Sequence, residues 1–218
     1  MSLLLTSAGI TNATIAKNIL ELVGKPAQDI SVLFIPTATN IMEGDKSWLI
    51  DNLNDFKRQG YACIDILDIA GVPESVWKPR MEAADLITFG GGNEQYLVKV
   101  MRETGVEKAL PELLKTRVYM GISAGSMVVG QFLPVELLNV IYPEEVFEEF
   151  SEPLAFVNCL FLPHLNSEYF SHATKEVLEK HRADFAFPLY ACDDNSALKI
   201  VDGKFEIVGE GESVVFNK

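Results

Sequence analysis

Cysteine is sparse in this chain of 218 residues: Cys63, Cys159 and Cys192 are all it has. An odd number, widely spaced and without a CxxC pair, argues against a disulfide framework and against a zinc site. The three read as small buried hydrophobes in a protein of the reducing cytoplasm. Long apolar runs are missing as well, and no stretch approaches the roughly 18 residues of a membrane span. The opening Met1-Ser2-Leu3-Leu4-Leu5-Thr6 has no basic segment, and Gly9 and Asn12 interrupt it at once. It reads as a buried strand and not as a signal peptide. Positive charge is short: 18 Lys and Arg stand against 31 Asp and Glu, a formal net charge of −13. Such a surface repels nucleic acid and anionic lipid, so neither is expected as a partner. Nucleotide loops are absent too, with no GxGxxG and no GK[ST].

What is present is the usual balance of a packed globular protein, 48% hydrophobic and 22% charged. The length suits one domain, expected over residues 1–218. Short apolar runs alternate with amphipathic stretches. Leu3–Leu5, Ser31–Ile35, Tyr61–Leu67, Asp85–Phe89 and Arg117–Gly121 read as strands. Asn12–Val23, Asp45–Arg58, Pro73–Ala83 and Asn93–Leu114, the last broken near Gly105, read as helices. Nearly all-apolar strands with helices between them predict an α/β fold, a doubly wound and mostly parallel sheet. Pro134–Pro153 is rich in glutamate, either an excursion at the sheet edge or the border of a pocket. Further strands are expected at Val157–Leu162, Phe187–Cys192, Ala197–Val201, Phe205–Val208 and Ser213–Phe216. Asp202-Gly203 marks a hairpin between two of them.

Gly121-Ile122-Ser123-Ala124-Gly125 matches G-x-S-x-G, with a buried strand running in and a small-residue helix start, Ala124–Val129, running out. That is the setting of a nucleophile elbow, which lifts a serine hydroxyl above the sheet. The N–H of Ala124 would then be placed to stabilise an oxyanion. Phe89-Gly90-Gly91-Gly92-Asn93 follows a neighbouring strand. In such sheets these loops meet at the carboxyl edge, where ligands bind. Gly91 or Gly92 is a candidate second oxyanion donor; a plain turn opening the next helix is the other reading. A serine needs a base. His172 and His181 lie among charged residues of a helical stretch, Tyr169–Arg182. His164 follows an apolar strand and is the candidate base. The orienting acid is Asp193 or Asp194, or else a glutamate between Glu136 and Glu152.

Several pieces in this order are similar to the peptidase E family of α-aspartyl dipeptidases, relatives of the cyanophycinases. They are Ile35-Pro36-Thr37-Ala38, Phe89-Gly90-Gly91-Gly92-Asn93, Gly121-Ile122-Ser123-Ala124-Gly125, Pro163-His164 and Asp194-Asn195-Ser196-Ala197-Leu198. The resemblance implies a class I glutamine amidotransferase-like (flavodoxin-like) sheet with C-terminal hairpin strands. It also implies a Ser–His–acid triad without metal or other cofactor. It assigns Ser123 as nucleophile, His164 as base and Asp194 to a position usually held by Glu. Asp is one methylene shorter, so its bond to His164 needs a closer backbone. Relatives that bind an acidic side chain often carry arginine soon after the histidine; Asn166–His172 has none, and Arg182 is remote. Asn93 and Asn166 are candidate substrate contacts. The expected partners are a small peptide and, at most, a second copy of the chain. The expected activity is a serine peptidase for small peptides. An esterase or amidase on the same residues, or a silent binding module, is the alternative.

Overall fold

The computed structural model describes residues 1–143 and 152–217. The chain begins with β1 (Ser2–Thr6), α1 (Ala13–Val23), β2 (Ser31–Ile35) and α2 (Ser47–Arg58). It continues through β3 (Cys63–Ile66), α3 (Glu74–Ala83), β4 (Leu86–Phe89), α4 (Glu94–Glu103) and α5 (Val106–Leu113). Next come β5 (Val118–Ile122), α6 (Ala124–Met127) and α7 (Val135–Ile141). The last third holds β6 (Leu160–Leu162), α8 (Lys175–Lys180), β7 (Leu189–Cys192), β8 (Ser196–Val201), β9 (Lys204–Gly209) and β10 (Ser213–Phe216).

Seven strands form the main sheet in the order β3-β2-β4-β5-β1-β8-β9. The first five are parallel, and β8 and β9 continue the sheet antiparallel. Central strands are buried on both faces because neighbouring side chains point to opposite sides, each side being covered. Leu3 and Leu5 join one apolar cluster with Leu33, Ile87 and Tyr119; Leu4 joins the other with Val32, Phe34 and Met120. Local chemistry ends the helices where the residues demand it. Asn12 caps α1 by accepting from the Ile15 N–H, and Gly24 closes it at φ 71°. Gly105, at φ 82°, separates α4 from α5. Asp202 and Gly203 both have positive φ, 49° and 77°, as a two-residue hairpin between β8 and β9 requires.

Pairing aligns the strand ends that matter. Ile35 lies opposite Phe89, Phe89 opposite Gly121, and Ile122 opposite Thr6. The turns after β1, β2, β4 and β5 therefore share one edge. Because β8 runs the other way, with Ala197 opposite Thr6, residues 193–195 arrive at that edge as well. So do residues 210–212, since Gly209 pairs with Ser196.

The structure departs from the sequence reading in the last third. β6, β7 and β10 form a separate three-stranded sheet, β6 parallel and β10 antiparallel to β7. Only Lys175–Lys180 of the stretch Tyr169–Arg182 is α-helical, with a 3-10 turn at Arg182–Asp184. Residues before it form turns, because Phe170 is drawn onto His164 and Tyr142 instead of into a helical stripe. The strand expected from Val157 starts at Leu160; before it, Val157 and Cys159 bond to the segment after α6. Of the glutamate-rich segment, Glu136 lies in α7, while Glu144, Glu145, Glu148 and Glu149 fall outside the described residues. Among the described residues no helix is long and apolar enough to cross a membrane.

Cys63 corrects the expectation of three buried thiols. It opens β3, the edge strand, and is exposed, whereas Cys159 and Cys192 are buried. Burial pushes the Cys159 thiol up to about 12. It pushes Cys192 up as well, with the neighbouring charge of Asp193 adding to it. Since the thiolate is the reactive form, both should be inert in the folded protein. Titration with a thiol-reactive disulfide near pH 8 is expected to find one group in the native state and three in denaturant. Cys63→Ser should remove the native signal.

Candidate active site

β5 delivers Ser123 into a conformation few residues with a side chain adopt, φ 50° and ψ −113°. Its surroundings hold it there. The Ser123 N–H donates to the Thr6 carbonyl at 2.9 Å, and the Ser123 carbonyl accepts from the N–H groups of Ser126 and Met127. The Ser126 hydroxyl donates to the Thr6 carbonyl at 2.8 Å and accepts from the Thr6 N–H at 2.9 Å. Both glycines of the motif answer to close approach. A Cβ on Gly121 would lie 2.5 Å from the Ser126 Cα, and one on Gly125 would lie 2.1 Å from the Phe89 carbonyl oxygen. The buried Tyr119 hydroxyl donates to the Gly125 carbonyl at 2.6 Å.

The histidine comes from the small sheet. After β6 and Pro163, His164 takes φ 61°. Its N–H donates to the Ser7 hydroxyl at 3.1 Å, and that hydroxyl donates to the Cys192 carbonyl at 2.9 Å. The Leu165 N–H reaches the same carbonyl at 3.0 Å. These bonds draw the ends of β6, β7 and β1 together. The His164 Nε2 lies 3.0 Å from Ser123 Oγ, and its Nδ1 lies 2.6 Å from Asp194 Oδ1. Phe170 stacks on the imidazole at a centroid distance of 4.6 Å, and Tyr142 meets Phe170 edge-on. The imidazole is 13% exposed and the Asp194 side chain 39%.

The adjacent acids have different tasks. The Asp193 carboxylate accepts from the N–H groups of Asn195 and Glu212 and so ties the 193–195 turn to the β9–β10 turn. Gly211 makes room for it, since a Cβ there would stand 2.2 Å from Asp193 Oδ1. Thr11 and Asn12 bond the carbonyls of Asp194 and Asn195 from the other side. Asp194, clamped between two loops, faces His164. Neither Glu136 nor Glu152 bonds to the imidazole. His172 is exposed, and His181 pairs with Asp184. Arg182 lies over Phe216, at the opposite end of the small sheet from His164.

The glycine loop borders the serine. A Cβ on Gly91 would lie 3.3 Å from Ser123 Cβ and 3.4 Å from the Trp48 ring, and one on Gly92 would strike the Ala38 carbonyl. Among the described residues, the N–H groups of Gly91, Gly92 and Ala124 have no acceptor. Asn93 spends its Oδ1 capping α4 through the Tyr96 N–H. Asn166, at φ 58°, gives its Nδ2 to Glu212. The side chains of both are thus partly committed to structure. Among the described residues, no three or more His, Cys, Asp and Glu side chains come together in a way that could hold a metal ion. Sequence reading missed Ser7, Ser126, Phe170 and Trp48. For Ser7 a signal existed: it follows the strand that flanks β5. Phe170 offered none, because its stretch reads as helix.

A family model described as peptidase family S51 matches residues 3–208. A curated relative, the uncharacterized peptidase Lmo0363 of Listeria monocytogenes serovar 1/2a, is 24% identical over 155 residues, 71% of this chain and 75% of that protein. A crystal structure from Listeria monocytogenes EGD-e, of a protein named as a candidate peptidase E, has a TM-score of 0.76 at 22% identity. That match covers 96% of this chain and 98% of the other. A peptidase from an acI-B1 Actinobacterium has a TM-score of 0.71 at 20% identity, covering 100% and 95%. At these identities the two structures speak for the fold alone.

The glycine contacts predict a difference in stability. Gly125→Ala forces a methyl group into the Phe89 main chain and is expected to cost about 3 kcal/mol or more. Gly24→Ala has open space around it, with only the strain of its positive φ, about 1 kcal/mol. Urea unfolding of the two variants checks the order.

Proposed function

The chain belongs to peptidase family S51 and is a serine-type peptidase, and on that footing we propose that it cleaves short peptides with Ser123, His164 and Asp194. The observation that carries this reading is the unbroken line of hydrogen-bond distances, 2.6 Å from Asp194 to His164 and 3.0 Å from His164 to Ser123. Ser123 Oγ attacks the scissile carbonyl carbon and passes its proton to His164 Nε2. Asp194 holds the Nδ1–H and stabilises the imidazolium that forms. The carbonyl electron pair moves onto oxygen, where the N–H groups of Ala124 and Gly91 meet the new charge. Gly91 is preferred to Gly92 because its backbone passes Ser123, while that of Gly92 packs against Ala38. Collapse of this intermediate breaks the C–N bond, and His164 returns the proton to the leaving amine. Water then repeats the sequence on the acyl-enzyme and frees Ser123. Dipeptides are the first substrates to test, given the resemblance of the sequence motifs to the peptidase E family.

Labelling by an uncharged fluorophosphonate tests the reading directly: Ser123 should react, and a silent binding module would not. Ser123→Ala should lower kcat by at least ~10⁴-fold while leaving the fold intact. Asp194→Asn should lower kcat by up to roughly 10⁴-fold. Asp193→Asn should act mainly on stability, costing about 1–2 kcal/mol through its turn bonds. If Asp193→Asn proved the more damaging to kcat, the assignment of the acid would be wrong.

A further inference from the structure

The protein's acidity is not spread evenly over its two sheet edges. Three loops enclose His164: residues 163–174, 193–195 and 210–212. They carry Glu168, Asp193, Asp194, Glu210 and Glu212, and not one lysine or arginine. The other side of the gap, the glycine loop 90–93 and the segment 123–134, has no charged residue at all. The nearest cations in sequence to this edge are Lys175, which opens α8 directly after the loop 163–174, and Lys46, in the loop after β2, whose ammonium folds back onto the carbonyls of Met42 and Gly44. The opposite edge is balanced: Lys25, Lys115 and Arg117 sit in its turns with Asp29, Asp85 and Asp202. A cleft lined by charge of one sign focuses the field on what enters it. It raises the encounter rate of the opposite charge by 10-fold or more and repels the same charge.

A second feature points the same way. Tyr169 is 92% exposed, next to Glu168 and to the Phe170 that stacks on His164. A bare aromatic face beside a carboxylate suits an ammonium or guanidinium group. Resting on the reading of Ser123 as nucleophile, we propose that this site selects positively charged peptides. Lysine or arginine beside the scissile bond is favoured, and aspartate there is turned away.

Two diphenyl phosphonate probes, one built on lysine and one on aspartate, test this. In each, Ser123 Oγ forms a bond to phosphorus and a phenol departs with the proton. The lysine probe is expected to label Ser123 at least roughly tenfold faster at about 10 mM ionic strength. The ratio should shrink several-fold at about 1 M, where the Debye length is only ~3 Å. Glu168→Gln should lower the ratio at low salt. Equal rates, a faster aspartate probe, or a ratio indifferent to salt would overturn the proposal. Silence of both probes toward a folded protein whose Ser123 still takes the uncharged fluorophosphonate would overturn it too. Silence toward all three would instead remove the nucleophile assignment beneath it.

Discussion

Thr6 is the residue on which the elbow depends. Its carbonyl accepts from the Ser123 N–H and the Ser126 hydroxyl, its N–H donates to Ser126, and its hydroxyl donates to the Gly121 carbonyl. A residue with a side chain at φ 50° carries strain of the order of 1–3 kcal/mol. Four bonds from one neighbouring residue over-determine the turn and keep that strain in place. The pairing of β1 with β5 is therefore more than sheet construction. It sets the height and direction of the Ser123 hydroxyl, and every distance in the site is measured from there.

The second requirement is that His164 arrive from a different sheet at the right depth. Here the Cys192 carbonyl acts as a meeting point, accepting from Ser7 after β1 and from Leu165 after β6. It brings the end of β6 within reach of residues 193–195. An aspartate is shorter than a glutamate, and the 2.6 Å contact between Asp194 and His164 is reached because these loops are drawn together by main-chain bonds. Phe170 covers one face of the imidazole and limits the positions it can take.

How much of this was legible follows from how local each cause is. β2 and β10 coincide with their apolar runs, and Asn12, Gly24, Gly105 and the pair Asp202-Gly203 act within a few residues of themselves. The elbow was legible because both glycines are forced by contacts inside the motif or with the next strand. The small sheet was not, since nothing in β6, β7 or β10 says which strands they will pair with. Nor was the interrupted helix at Tyr169–Arg182, where an aromatic contact across the chain outweighs helical spacing. The exposure of Cys63 depends on β3 lying at an edge, a property of the sheet order and not of the strand.

The place of β1 carries a consequence for how the molecule is made. It precedes the other strands, yet its partners are β5, more than a hundred residues on, and β8, farther still. A chain emerging from the ribosome holds Leu3–Leu5 without strand neighbours until residue 122 is out, and has all three residues of the proposed triad only after residue 194. Folding must wait on pairings of long sequence separation, which are slow to form. The residues proposed as a triad are thereby kept apart until those strands have emerged. In exchange, Leu3–Leu5 spends that interval as the segment most in need of shielding from aggregation.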